Sequence, residues 1–145
     1  MSEPSPPLTA ARARKALIEA GLEVFRTRGD EVLLAERPRE NLIMDSGVRL
    51  RLGDPLEVRI VLRAQKADYP NEDDATLFDR VRKLGAAAAA GGFVEIATAI
   101  TPVTDPGDAD RTLDTFYEIT YAKPAPALDQ ALQELKLAMS LEKRA

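Results

Sequence analysis

Residues able to carry acid–base or nucleophilic chemistry near neutral pH are scarce in this chain. It has no histidine and no cysteine, so the side chains that most often transfer protons, attack as thiolates or bind zinc are missing. The glycine patterns that bind phosphates and the nucleophile elbow of serine hydrolases do not occur either. The chain is therefore not expected to be an enzyme, and neither a metal nor another cofactor is expected.

Carboxylates are the one reactive group present in number. Asp105, Asp108 and Asp110 crowd around Gly107, and their oxygens would suit a hard cation such as calcium. The spacing misses the EF-hand loop, however, and no bidentate acid follows at the required distance. We interpret the segment as a solvated hairpin turn and the acidic residues at 71–74 as a helix N-cap.

A basic pattern accompanies a predicted hairpin. Residues 48–52 and 56–63 alternate between apolar and polar side chains around a turn at Gly53–Pro55, which indicates two half-buried strands. The apolar face is predicted to contain Leu50, Leu52, Val58, Ile60 and Leu62. The opposite face is predicted to contain Arg49, Arg51, Arg59 and Arg63. Because like charges repel across a ladder, this face is expected either to be solvated or to meet an acidic partner.

The composition places the chain among folded proteins, since 45% of residues are hydrophobic and 30% are charged. A net charge of −4 repels phosphate backbones, so nucleic acid is not an expected partner. The longest uncharged stretch, residues 84–94, is mostly Ala and Gly and is shorter than the ~18 residues needed to cross a bilayer. No membrane association is expected, and the lack of cysteine favours a cytoplasmic location.

Three helices are predicted from apolar periodicity. The first runs from Ala10 to Arg28, between a Thr9 cap and a stop at Gly29. The second follows residues 71–74 and ends at Gly91–Gly92. The third begins near Pro126. Its apolar stripe, which packs on the chain's own sheet or binds a partner, consists of Leu128, Leu132, Leu135 and Met139.

Strands are predicted at residues 32–35, at 42–44 ahead of a turn signal at 45–47, and at the two arms of the basic hairpin, with a second hairpin formed by residues 93–101 and 112–122. The element order is α-βββ-α-ββ-α. Because tight turns pair sequential strands antiparallel, this order predicts an α+β fold with helices packed on an antiparallel sheet of about five strands. Residues 1–8 are expected to form a disordered arm and residues 9–145 a single domain.

The order of elements from Thr9 to Ala145 resembles that of the type III secretion chaperones and of the YbjN-type sensory transduction regulators that share their fold. The resemblance lies in topology, size and acidity, and no residue motif of either family is matched. It implies a homodimer that binds an extended segment of a client protein on apolar patches without ATP.

Three hypotheses of function follow. The first is a non-catalytic protein-binding module, with a chaperone-like role, that holds a segment of a partner protein through the arginines and the stripe of the last helix. The second is a regulatory or sensor protein that binds a small ligand or an anion on the arginine face. The third is a hydrolase or isomerase that uses Glu36, Glu95 or Glu118 with a tyrosine, although nothing in the sequence places these residues together.

Overall fold

The computed structural model describes residues 8–145, so the predicted arm lies, except for Leu8, outside the described residues. Four helices accompany a six-stranded antiparallel sheet with the strand order β1-β2-β3-β4-β6-β5, which confirms the α+β fold. The helices are α1 (Ala10–Glu19), α2 (Asp74–Leu84), α3 (Ala86–Ala90) and α4 (Leu128–Ser140). The strands are β1 (Val24–Arg28), β2 (Glu31–Arg39), β3 (Leu42–Arg51), β4 (Leu56–Gln65), β5 (Val94–Asp105) and β6 (Asp108–Ala125).

The first helix is shorter than predicted. It ends at Glu19, and Gly21 (φ 85°) supplies the left-handed stop after it, whereas Gly29 (φ 59°) lies between β1 and β2. The following residues form β1, which pairs antiparallel with β2. Val24, Phe25 and Thr27 are good strand formers, and pairing with β2 overrides the helical spacing of their apolar side chains. β1 is therefore a strand that the sequence did not predict.

The predicted turn at residues 45–47 is an irregularity within β3. The register with β2 shifts by two residues between the pairs Leu33↔Arg49 and Ala35↔Asp45. Gly47 (φ 84°) allows the bend, and its N–H donates to Asp45 Oδ1 at 2.9 Å. β3 consequently continues as one strand through the segment that was expected to reverse the chain.

The described residues form two compact units. The first extends up to Arg59 and includes Pro124–Ser140; the second comprises Ile60–Lys123 with Leu141–Ala145. In the first unit α1 packs on β1 and β2, while α4 packs on β3. Residues 32–35 of β2 are all buried, so both faces of this strand are covered. The single domain spanning residues 9–145 stays a prediction.

In the second unit, α2 lies over β6. Asp73 caps the helix by accepting a hydrogen bond from the Thr76 N–H at 2.8 Å. The Phe78 ring meets the Tyr117 ring edge-on, with centroids 5.4 Å apart. Leu77 and Val81 are fully buried. These contacts fix the helix above β6, next to β5 at the end of the sheet.

The residues after α4 belong to the second unit. α4 ends at Ser140, so Lys143 and Arg144 are not part of its last turn. Instead the Arg63 N–H donates to the Lys143 carbonyl at 2.9 Å, and the Ala145 N–H donates to the Arg63 carbonyl at 2.9 Å. Residues 143–145 therefore run parallel to β4 at Arg63.

Candidate functional site

The alternation predicted for the basic hairpin is present in the structure. Along β4 every second residue is buried, from Leu56 to Ala64, and the residues between them are partly exposed. The four arginines occupy these partly exposed or exposed positions. Each of them, however, contacts a carboxylate of the chain itself.

Two of these pairs involve arginines of β3. Arg49 Nη2 lies 3.1 Å from Asp45 Oδ2, and only 15% of the Arg49 side chain is exposed. Arg51 Nε lies 3.1 Å from Asp30 Oδ2, in a pair that is about half exposed on both sides. The first pair is local in sequence, whereas the second joins residues 21 positions apart.

Arg59 is held by two carboxylates. Its Nε donates to Glu57 Oε1 at 2.6 Å, and its Nη1 lies 3.5 Å from Glu31 Oε2. Because all three side chains are at most 24% exposed, these ion pairs are partly shielded from water. The charge of Arg59 is neutralised within the first unit.

Arg63 belongs to a cluster in the second unit. Its guanidinium lies 4.2 Å above the Phe116 ring, and Nη2 donates to Glu118 Oε2 at 3.2 Å. Thr101 donates a second hydrogen bond to Glu118 Oε1 at 2.8 Å. The predicted basic face is thus a set of ion pairs, and none of its four arginines is left as an isolated charge.

The stripe predicted on the last helix lies partly in the core of the first unit. Leu135 is fully buried, together with Ala131 and Ala138. The flanking Leu128, Leu132 and Met139 are half-buried. The helix packs on β3 with this face, which favours the interpretation that the stripe packs on the chain's own sheet.

The glutamates of the enzymatic hypothesis are not assembled into one site. Glu118 and Tyr121 occupy opposite faces of β6 because they are an odd number of residues apart, and Glu95 is the cross-strand partner of Tyr121. Glu95 and Glu118 therefore lie on different faces of the sheet. Glu36 belongs to the first unit. Among residues 8–145 no group of three or more acidic side chains is arranged to hold a metal ion.

Shifted pKa values occur at structural contacts. A hydrogen bond from Arg80 lowers the pKa of Glu72, and the Arg80 guanidinium also lies 4.0 Å above the Tyr69 ring. A hydrogen bond to Asp74 raises the pKa of Tyr117. An open cavity of about 520 Å³ beside α2 is lined in part by Arg80 and Lys83. Because the Arg80 charge already has a carboxylate partner, this cavity is a poor anion site.

The most unusual surface is the β5 edge, which we define as residues Val94–Asp105. β5 is twelve residues long and ends the strand order. Every residue from Val94 to Pro102 is exposed, including Val94 (64%), Ile96 (49%) and Ile100 (49%). An edge strand of this length with apolar side chains presents a row of unpaired N–H and C=O groups to another chain.

The side chains of β5 are more exposed than those of their partners on β6, several of which α2 covers. Ile100 is paired with Tyr117, and Thr98 is paired with Ile119. Tyr117 and Ile119 are at most 5% exposed, whereas their partners on β5 are exposed. Val94, which is paired with Ala122 on the other face of β6, is exposed too. Both faces of β5 are therefore accessible along with its outer edge.

Charge is distributed unevenly along the β5 edge. Residues 96–104 carry none. At the first end, Glu95 pairs with Arg82 at 3.1 Å, and Lys123 donates to the Gly91 carbonyl at 2.9 Å. This end thus has two cations and one acid.

The other end of the edge is the hairpin tip, which we define as residues 105–111 and which includes the turn between β5 and β6. It contains three aspartates and Arg111, whose guanidinium lies 3.9 Å from Asp105. Asp108 and Asp110 are exposed. The hairpin tip is consequently acidic, and the two ends of the β5 edge carry opposite net charge.

Sequence reasoning identified β5 as a strand but missed its position at the edge. One signal was present: Pro102, which lacks an N–H and is tolerated mainly on edge strands. No described helix is long and apolar enough to cross a membrane. Comparison with protein-family models, curated proteins and solved structures returned no match to this chain.

Proposed function

We propose that this chain is a non-catalytic protein-binding module that holds an extended segment of a partner protein as an added strand on the β5 edge. The observation that carries the proposal is the exposure, on both faces and along the outer side, of a twelve-residue edge strand with nine consecutive uncharged residues. Strand addition uses main-chain hydrogen bonds for affinity and alternate side chains for specificity. This role is chaperone-like, as the resemblance implies.

The side chains of β5 supply apolar anchors for such a segment. Val94, Ile96 and Ile100 are all about half exposed or more, and a partner strand would remove much of this area from water. Fully burying a side chain of this kind is worth about 1.5–3 kcal/mol. These anchors replace the arginines and the α4 stripe as the main binding residues, since those groups already contact acids or β3.

The anion-binding alternative has less support. Each of the four arginines on which it rests has a carboxylate partner, so an anion would have to displace a group that is tethered beside it. The lack of cysteine remains the reason for proposing a cytoplasmic location, and a homodimer remains the proposed assembly.

The experiment is an affinity capture with three forms of the full chain. Ile96→Lys/Ile100→Lys adds two charges to the β5 edge, while Ile18→Lys is the control because Ile18 is 55% exposed on α1. Proteins captured by the wild type and by Ile18→Lys, but lost with the double variant, are then added to the wild type for hydrogen exchange. Slower exchange of β5 amides supports the proposal. Equal capture by all three forms, together with β5 amides that exchange at the same rate at low and at high protein concentration, contradicts it.

A further inference from the structure

We propose that the strand which occupies the β5 edge is β5 of a second copy of this chain, running antiparallel about a two-fold axis. This inference rests on the proposed function, because it names the partner that the edge selects. It would join two six-stranded sheets through an isologous contact, in which the same surface is used by both copies.

Charge complementarity favours the second copy. The first end of the edge carries Arg82 and Lys123 with Glu95, and the hairpin tip carries Asp105, Asp108 and Asp110 with Arg111. An antiparallel arrangement places the acidic tip of each copy beside the cationic end of the other, and the two-fold axis repeats this contact. A parallel arrangement would place the two acidic tips side by side, which is unfavourable.

The strand also matches itself in length and in side chains. Centred on Ala99, a two-fold antiparallel pairing sets Ala99 opposite itself and Ile100 opposite Thr98 of the second copy, so that directly paired side chains point to the same face. The uncharged residues 96–102 of each copy then face the same segment of the other copy, so no like charges oppose each other between the two ends. Twelve residues span about 40 Å of strand at 3.3–3.4 Å per residue, which is long for an exposed edge.

The two-fold pairing also limits the size of the assembly, which is a further reason to expect a second copy on the β5 edge. A long uncharged edge that stayed open would template unlimited association, whereas two-fold pairing covers both copies of β5 at once. The other edge strand of the sheet, β1, has only five residues and carries the exposed Arg26 and Arg28. A short charged edge resists further pairing. The assembly therefore stops at two copies.

The first test is the mass in solution by sedimentation or light scattering, from low micromolar to about 100 μM protein. We expect twice the chain mass of 15.8 kDa for the wild type and for Ile18→Lys, and the chain mass for Ile96→Lys/Ile100→Lys. Melting curves and circular dichroism must show that the double variant is folded. If it is not, Thr98→Lys alone replaces it.

The second test changes the charge of the hairpin tip. Asp108→Lys/Asp110→Lys should weaken dimerisation by at least about threefold at low salt, because each copy loses favourable contacts with the other. The matched control is Asp68→Lys/Asp79→Lys, which changes the net charge equally at exposed sites outside the β5 edge and the hairpin tip. This control should leave the dissociation constant of the dimer nearly unchanged. Equal weakening by both variants overturns the antiparallel arrangement.

The outcomes separate this inference from the proposed function. A monomer whose β5 amides are protected by a captured foreign protein means that the edge binds a strand but not its own copy. A dimer that survives the β5 substitutions uses another surface, which also overturns the inference. A monomer whose β5 edge is protected by no captured protein contradicts both proposals.

Discussion

The Tyr117 hydroxyl donates a hydrogen bond to Asp74 Oδ1 across a distance of 2.7 Å, joining β6 to the first turn of α2. The ring of Tyr117 is 5% exposed and packs against Phe78. This contact ties the helix to the strand next to β5. It thereby helps to hold β6 in place as the inner neighbour of the β5 edge.

Tyr117→Phe is expected to lower the free energy of unfolding by about 1 kcal/mol, because one hydrogen bond is lost while ring packing is kept. The bond raises the pKa of Tyr117, so the stability that it contributes is present below the ordinary tyrosine value near 10 and is lost as the pH rises through the folded value. Denaturant melts of the wild type and the variant at neutral and alkaline pH measure both effects. A wild type whose stability falls no more than that of the variant above about pH 10 would contradict this assignment.

The start of α2 should respond to acid. A hydrogen bond from Arg80 lowers the pKa of Glu72, and hydrogen bonds from Thr76 lower that of Asp73. Because both folded values are depressed, the stability is present above the ordinary values near 4 and is lost as the pH falls through the folded ones. Thermal melts across this range should show a smaller loss in Glu72→Gln/Asp73→Asn than in the wild type. An equal loss of thermal stability in the variant and in the wild type would contradict the contribution of Glu72 and Asp73.

Gly85→Ala tests how closely α2 approaches β6. A Cβ at this position would clash with the ring and hydroxyl of Tyr121, while the backbone conformation of Gly85 is helical (φ −71°). Helix propensity alone would favour alanine by about 1 kcal/mol, but the overlap should dominate and lower stability by about 1–3 kcal/mol. Gly107→Ala is the control, since its nearest contact is an ordinary 3.5 Å. Stabilisation of the chain by Gly85→Ala would show that the ring can move aside.

Reversing the charge of a partly buried arginine should lower the stability of the chain. Arg59→Glu would place three carboxylates together with Glu57 and Glu31, where the side chains are at most 24% exposed. We expect a loss of about 1–3 kcal/mol in unfolding free energy, because partly buried like charges repel. Arg51→Glu, at a pair about half exposed on both sides, should cost less. Equal losses in denaturant melts would show that burial does not decide the effect.

Local patterns made part of the fold predictable. The alternation of residues 56–63 reflects one buried face, and the structure shows the same alternation along β4. The boundary between α1 and β1 was not predictable, because Leu22, Val24 and Phe25 fit a helical stripe and also form good strands. Gly21 and Gly29 both adopt positive φ, so either glycine could end a helix. The sequence alone did not show which of them follows α1.

The candidate site was harder to foresee because it depends on distant pairings. Arg51 meets Asp30 across 21 positions, and Arg63 meets Glu118 across 55; no local pattern reveals such ion pairs. The exposure of Ile100 follows from the position of β5 at the end of the sheet. In sequence the same residues look like an interior strand, since β-branched residues favour both locations.

Whether β5 accepts an added strand is measured by hydrogen exchange of the full chain at increasing concentration. We expect the amides of Val94–Asp105 on the open side to exchange more slowly as the concentration rises, or when a captured partner is added. β1, the other edge strand, serves as the internal control and should keep exchanging at a constant rate. If the exchange rate of the β5 amides, like that of the β1 amides, changes neither with concentration nor with any captured protein, the β5 edge binds no strand and the proposed function is wrong.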